Sequence, residues 1–332
     1  MKIPTLKRLN PTCIEICSGA GGQALGLEMA GFEALAHVEN DRHACATLRQ
    51  NRPGWNVFEG DVRGFSAKEY EGVDLLAGGV PCPPFSKAGK QLGSEDERDL
   101  FPEALRLVEE CKPKAIMLEN VRGFLDAVFT DYRMNLKKQL KAMGYDASWH
   151  LLNASDFGVP QLRPRVVIIA IRSDLSTNFY PPIPLSDGIP APTVGECLAD
   201  LMAENGWERA VEWAANANEI APTLVGGSKK HGGADLGPTR ARKAWASLGV
   251  EGKSLANAAP MPGFEGVPRL TLRMTARIQG FPDSWQFSGG KTASYRQIGN
   301  AFPPPVAKAV ALRIREAITG ETIITKSNAR YA

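Results

Sequence analysis

Seven short apolar runs rich in β-forming residues recur along the chain, at 13–17 (CIEIC), 34–39 (ALAHVE), 55–61 (WNVFEGD), 73–77 (VDLLA), 115–119 (AIMLE), 147–153 (ASWHLLN) and 165–172 (RVVIIAIR). Between several of them, at 22–30, 41–50, 98–111 and 131–143, apolar residues recur at three- and four-residue spacing, the period of a helix with one buried face. Alternation of this kind predicts a mostly parallel sheet covered by helices on both faces, an α/β fold.

From about Pro181 the texture changes. YPPIPLSDGIPAPT is rich in proline, and the following hundred residues are rich in Gly, Asn and Pro and poor in clear strands. A smaller, loop-rich domain is expected to begin there. Near 291–319 regularity returns: KTASYRQIGNAFPPP leads into VAKAVALRIREAI, an amphipathic helix with its prolines at or before the first turn. The expected division is therefore 1–185 with 291–332 as one domain and 186–290 as an insertion, within the range that 332 residues allow.

No apolar stretch approaches the roughly 20 residues needed to span a bilayer. The start, MKIPTLKRLNPT, lacks an apolar segment of signal-peptide type, so a soluble cytoplasmic protein is expected. Six scattered cysteines without a C-x-x-C pair, and only four histidines, argue against a zinc site or a disulfide framework. A net charge of +3 means that any binding of nucleic acid must rest on local basic clusters.

ICSGAGGQALGLEMAGF (16–32) places Gly19, Gly21 and Gly22 between a first strand and a helix, where the backbone turns tightly and the helix N-terminus offers free N–H groups. Alone, such a loop is often only a turn. Here Glu39 ends the next strand about 20 residues on, where a ribose hydroxyl would be bound, and Asp61 ends the third. The spacing is not G-x-G-x-x-G, which argues against NAD and for another nucleoside-bearing cofactor.

GGVPCPPFS (78–86) follows the fourth strand and carries a thiol, Cys82, among Pro81, Pro83 and Pro84. A single cysteine is more often a buried small hydrophobe. The prolines weaken that reading, because they fix the backbone and forbid both strand pairing and helix continuation. Glu119 ends the fifth strand in AIMLENVRGF, and parallel neighbours place their carboxyl ends side by side, so thiol and carboxylate can converge.

At these residues the chain resembles the cytosine-C5 DNA methyltransferases. The resemblance covers nearly the whole length, with ICSGAGGQALGLEMAGF, VEND, GDV, GGVPCPPFS, LENV, QLRPRV, RLTLRMTARIQGFPD and YRQIGNAFPPPVA in the family's order. It implies a Rossmann-like S-adenosylmethionine-dependent methyltransferase sheet with a target-recognition domain. S-adenosyl-L-methionine would be the methyl donor and S-adenosyl-L-homocysteine the product. Cys82 would be the nucleophile, adding to carbon 6 of cytosine so that carbon 5 can attack the methyl group. Glu119 would contact N3 and the exocyclic amine as charge builds on the ring. Arg165 would contact the base near Cys82, with Arg163 nearer the phosphates. Cofactor contacts carried over are Ser18, Gly19, Ala20, Gly21 and Gly22, Glu39 to the ribose, Asn40, Asp61 and Val62 around adenine, Pro81, Leu100 and Asn300.

Three positions depart from the family's pattern. Cys17 stands where phenylalanine is common, Asn40 where some members stack an aromatic on adenine, and Met274 in place of a common glutamate.

A cytosine inside a duplex hides carbon 6 in the stack, so the nucleotide must be flipped out. PFSKAGKQLGSEDERD (84–99), polar and without helical or strand period, suits a closing loop, with Ser86 and Arg98 as phosphate contacts. The 186–290 segment holds 10 Lys and Arg against 11 Asp and Glu, yet SKKHGGADLGPTRARKAW concentrates Lys229, Lys230, Arg240, Arg242 and Lys243 against Asp235 alone. On a glycine-rich loop these reach phosphates and, through arginine, guanine edges; a solvated surface cluster is the plainer alternative. Thr223-Leu224 resembles a recurring element of these recognition domains. Arg269, Arg273 and Arg277 share a four-residue spacing and are expected on one helix face, as a structural junction first and phosphate contacts second.

The partner expected is double-stranded DNA, bound by a monomer of prokaryotic modification type alongside a cognate restriction endonuclease and associated with the nucleoid. The rivals are an RNA cytosine methyltransferase and a non-catalytic nucleic-acid-binding protein. LENVR lacks a second cysteine and the chain lacks a Cys-Phe-Thr stretch, both of which disfavour RNA.

Overall fold

The computed structural model describes residues 10–81, 99–182, 190–227 and 233–321. In chain order the elements are β1 (Thr12–Ile16), α1 (Gly22–Met29), β2 (Glu33–Glu39), α2 (Arg42–Asn51), β3 (Val57–Glu59), β4 (Leu75–Gly78), α3 (Phe101–Cys111), β5 (Ala115–Val121), α4 (Thr130–Ala142), β6 (Tyr145–Asn153) and β7 (Pro164–Arg172). There follow α5 (Val194–Ala203), α6 (Ala210–Asn216), α7 (Thr239–Ser247), α8 (Leu272–Ile278), α9 (Lys291–Asn300) and α10 (Pro304–Thr319).

All seven strands join one sheet in the order β3-β2-β1-β4-β5-β7-β6. The strands from β3 to β5 pair in parallel, whereas β7 is antiparallel to both neighbours, so the sheet is mixed. The cause lies in the connection. Only 154–163, with one short 3-10 turn, separates β6 from β7, too little for the crossover of a dozen or more residues that a parallel pair requires. The strand expected at 55–61 shortens to three edge residues.

Each central strand is apolar on both sides because both faces are covered. On one face Ile14, Ile16, Leu76, Ile116, Leu118, Val166 and Ile168 meet Leu105 and Val108 of α3 and Leu136 and Leu140 of α4. On the other, Cys13, Leu75, Ala77, Met117, Val167 and Ile169 meet Leu27 of α1 and Val306, Val310 and Ile314 of α10. Local signals fix the helix ends. The Asp41 carboxylate caps α2, Thr193 and Glu196 form a capping box on α5, and Gly320 ends α10 in the left-handed conformation.

A third apolar cluster runs from Val194 and Leu198 through Trp213, Trp245 and Leu270 to Met274 and Ile278, and takes in Tyr295 of α9. A fourth joins Leu25 of α1 to Ala276, Phe281, Trp285 and Ile298. Side chains therefore interlock across the division expected at 290: Trp285 packs toward α1, and Tyr295 packs into the cluster of 194–278. Arg273 and Arg277 lie on α8, but Arg269 precedes it, so the three do not share a helix face.

α1 and α10 approach so closely that a methyl group at Gly26 would lie 2.4 Å from Ala307 Cβ and 2.7 Å from the Pro304 carbonyl. Helix propensity favours alanine there by about 1 kcal/mol, but overpacking costs about 1–3 kcal/mol. Gly26→Ala should therefore lower the urea midpoint; a rise would show that the two helices separate without cost.

Candidate active site

Beyond Ile16 the chain turns with Cys17 and Gly19 both in the left-handed region, at φ 52 and 54. The Ser18 N–H stays paired with the Val38 carbonyl at 3.1 Å, which ties the loop to β2. Gly21, at φ 87, caps α1, and a Cβ there would lie 2.8 Å from Leu48 Cδ2 and 2.9 Å from Trp285 Cζ2. Gly19 differs, because a Cβ there would meet nothing within 4 Å. Its backbone faces open space, which is the room a nucleoside ligand needs to approach the loop.

Glu39 closes this loop. Its Oε2 accepts the Gly19 N–H at 2.7 Å, and Oε1 accepts the N–H groups of Asn40 at 2.9 Å and Asp41 at 2.7 Å. Burial pushes the carboxyl up, and these three N–H groups offset only part of that shift. A carboxylate has about four acceptor positions, so one remains for a hydroxyl. The loop-fastening role was not anticipated from the sequence, although the 20-residue separation of Gly19 and Glu39 is its trace.

Around the same edge, Asn40 is exposed and Asp61 is exposed at the end of β3, where it caps a 3-10 turn and pairs with Arg63. Val62 is buried, Leu100 is half-buried ahead of α3, and Ser18 and Ala20 are buried. The exposed Asn300 donates from Nδ2 to the Gly227 carbonyl at 3.1 Å.

β4 runs out between this loop and β5. A Cβ at Gly79 would lie 3.7 Å from the Cys17 carbonyl and 3.6 Å from Glu119 Oε2. Asn120 Nδ2 holds the Val80 carbonyl at 2.9 Å, and the exposed Pro81 ends the segment. Cys82, Ser86 and Arg98 lie outside the described residues; Cys82 is next in the chain after Pro81.

The β5–β7 register sets Val121 opposite Arg165 and Glu119 opposite Val167, so Arg165 stands diagonally across from Glu119 on the same face. Arg165 Nε lies 2.8 Å from Glu119 Oε1, with side-chain exposures of 13% and 12%. The two groups form a close ion pair, in which the buried Nε has no aligned hydrogen-bond partner among the described residues. Burial pushes the Glu119 carboxyl up, and Arg165 followed by Arg163 offsets part of the rise. A carboxyl held above its usual range retains a proton more readily near neutrality.

Arg163 departs from expectation. It has no accessible surface, so it does not reach a phosphate. Nη1 donates to the Leu224 carbonyl at 2.8 Å, Nη2 to the Gly299 carbonyl at 2.7 Å, and burial holds its pKa well below the usual value. Gln161 extends the junction, accepting from Leu224 N–H at 2.9 Å and donating to Gln279 Oε1 at 2.9 Å. Thr223 Oγ1 donates to the Leu162 carbonyl. Thr223-Leu224 is thus fastened to the catalytic sheet beside Arg165. Gln161 and Gln279 carry no chemistry-bearing signature, and sequence reasoning missed both.

Arg240, Arg242 and Lys243 lie on α7, not on a glycine-rich loop, because Trp245 draws that segment into the core. Arg240 and Lys243 are exposed and Arg242 is half-buried. Lys229 and Lys230 lie outside the described residues. Arg277 pairs with Asp200 and Asp283, and Arg273 with Glu204 and Asp283, which makes both of them structural ties. Of the departures, burial pushes the Cys17 thiol up to about 12, so it is no nucleophile at neutral pH. Met274 is fully buried, and its sulfur takes the acceptor place in the α8 capping box.

The family model of C-5 cytosine-specific DNA methylase matches residues 11–316. The Type II methyltransferase M.NaeI of Lentzea aerocolonigenes is 59% identical over 314 residues, which cover 93% of this chain and 75% of that protein. M.NgoMIV of Neisseria gonorrhoeae, also a Type II methyltransferase, is 56% identical over 313 residues, covering 93% and 99%. Among solved structures, a prophage-encoded DNA modification methyltransferase of E. coli superposes with a TM-score of 0.66 at 24% identity, over 94% of this chain and 100% of that one. The S. pombe Dnmt2 methyltransferase gives 0.64 at 18%, over 93% and 100%. At these identities the two structures speak to the fold alone.

Arg165 offsets the rise in the Glu119 pKa, so removing its charge should raise that pKa further. In Arg165→Leu the Glu119 titration, followed by carbon-13 NMR of the labelled carboxyl, should move to higher pH. A midpoint that stays or falls would mean that the ion pair is too solvated to matter.

Proposed function

Because the chain belongs to the C-5 cytosine-specific DNA methylases, we propose that it methylates carbon 5 of a cytosine everted from duplex DNA, within a short recognition sequence and as the modification enzyme of a Type II system. One observation carries the assignment of residues. The β1 loop, the β4 exit toward Pro81 and Cys82, and the Glu119–Arg165 pair meet at one edge of the sheet.

The loop fits S-adenosylmethionine. Gly19 leaves its backbone open, the α1 N-terminus supplies N–H groups, and Glu39 keeps an acceptor for a ribose hydroxyl. Bound there, the cofactor supplies an electrophilic methyl group on a sulfonium. The protein's own residues do the rest. The Cys82 thiolate forms a bond to carbon 6, and the ring π electrons move toward carbon 5. Glu119, held above the usual carboxylate range, keeps a proton at ring N3, and Arg165 offers its charge beside that contact. With carbon 5 methylated, loss of its proton and expulsion of the Cys82 sulfur restore the aromatic ring and the free enzyme.

We take Arg240, Arg242 and Lys243 as DNA contacts; their shared position on α7, with Arg240 and Lys243 exposed, supports that reading. Among the described residues no helix is long and apolar enough to cross a membrane. A monomer acting on double-stranded DNA in the cytoplasm is part of the same proposal.

Purified protein incubated with S-adenosylmethionine and unmethylated genomic DNA should deposit 5-methylcytosine at one short motif, read by conversion sequencing. Cys82→Ser should bind DNA and leave no methyl group. Glu119→Gln should slow turnover about 100- to 10,000-fold, the usual contribution of a positioned acid. Methylation of RNA only would transfer the reading to RNA, and methylation by Cys82→Ser would remove Cys82 from its role.

A further inference from the structure

We propose that Trp285 is a positioning residue for the cofactor loop, setting the orientation of the Ala20–Gly21 peptide. The inference rests on the cofactor reading above. Trp285 lies far from Gly19 in sequence, between α8 and α9, yet its indole is buried against the loop. Nε1 donates to the Ala20 carbonyl at 3.1 Å, and the ring stands so near Gly21 that a Cβ there would lie 2.9 Å from Cζ2.

The Ala20–Gly21 peptide is thus held at both ends. Its carbonyl accepts from Trp285, and its N–H, on Gly21, donates to the Ser18 carbonyl at 3.1 Å. This peptide leads into α1, so its orientation sets where the first free N–H groups of that helix point. The indole is itself fixed. Phe281 packs at 5.9 Å between ring centres, Trp55 at 6.3 Å, and the Arg52 guanidinium sits 5.2 Å from the ring centre. Glu28 holds that guanidinium through Nε at 2.8 Å and Nη2 at 2.7 Å.

An indole offers one donor and no acceptor. Trp285→Phe therefore keeps a ring against Gly21 and removes the N–H, leaving the Ala20 carbonyl unpaired. Calorimetric titration with S-adenosylhomocysteine should give a Kd about five- to tenfold weaker, the usual effect of one net hydrogen bond. The KM for S-adenosylmethionine should rise by the same factor while the DNA KM stays. 3-Benzothienylalanine at position 285 replaces the N–H by sulfur in the same two-ring shape. It should reproduce the loss, and it supplies the measurement should the phenylalanine variant not fold. Leu140→Ala, in the apolar cluster that contains neither Trp285 nor Phe281, should lower Tm and leave the Kd within twofold.

A wild-type-like Kd in the benzothienyl protein overturns the proposal, as does equal weakening in Leu140→Ala. If wild-type protein binds no S-adenosylhomocysteine, the cofactor reading falls and this proposal falls with it. If wild type binds and the benzothienyl protein matches it, only the positioning role falls.

Discussion

Everything at the site depends on the reversal of strand order beside β1. From β1 the chain moves outward through β2 to β3, then returns to lay β4 on the opposite side of β1. In open α/β sheets the carboxyl ends of strands at such a reversal are where ligands bind. Ser18 to Gly22 follow β1 and Cys82 follows β4 in the chain, whereas Glu39 and Asp61 stand at the ends of β2 and β3. The glycine loop after β1 and the exit of β4 are adjacent because the hydrogen-bonded ladder pairs Ile16 with Gly78, although 62 residues separate Gly19 from Pro81.

The second constraint is the buried polar junction around Gln161 and Arg163. Removing a guanidinium from water is costly unless its donors are matched, and here two carbonyls from different elements, those of Leu224 and Gly299, receive it. Those carbonyls lie on the segment that precedes the basic α7 and on the helix that ends at Asn300. The segment before α7 and the C-terminal turn of α9 are thereby locked to the chain that leads into β7, the strand that carries Arg165. Apolar packing alone would tolerate small slides at this joint, whereas directional hydrogen bonds from a fully buried fork fix its register.

Charge placement at the edge follows the same logic of burial. Glu39 ends β2 and Glu119 lies two residues before the end of β5, and burial pushes both carboxyls up. Their neighbours separate their uses. Glu39 is surrounded by backbone N–H groups, which fasten a loop and leave a hydroxyl acceptor. Glu119 faces two arginines and no such cage, so burial is offset there by charge rather than by backbone N–H groups.

Much of this was legible in the chain. Period and β-forming composition located all seven strands, most sharply the central ones that bury both faces, and the motifs drew attention to Glu39, Glu119 and Arg165, which the fold brings to the same edge of the sheet. What the sequence could not disclose was the direction of β7, set by a connection too short to cross over, or the burial of Arg163, which looks in sequence like the twin of Arg165. Nor could it place Arg240 and Arg242 on a helix, since glycine-rich flanks hide the pull of one buried tryptophan, Trp245. Local spacing determines which face a residue takes along its own element. Only the packed tertiary structure decides which carbonyl, 60 or 130 residues away, satisfies a buried donor, and so whether a given arginine meets the substrate or holds the protein together.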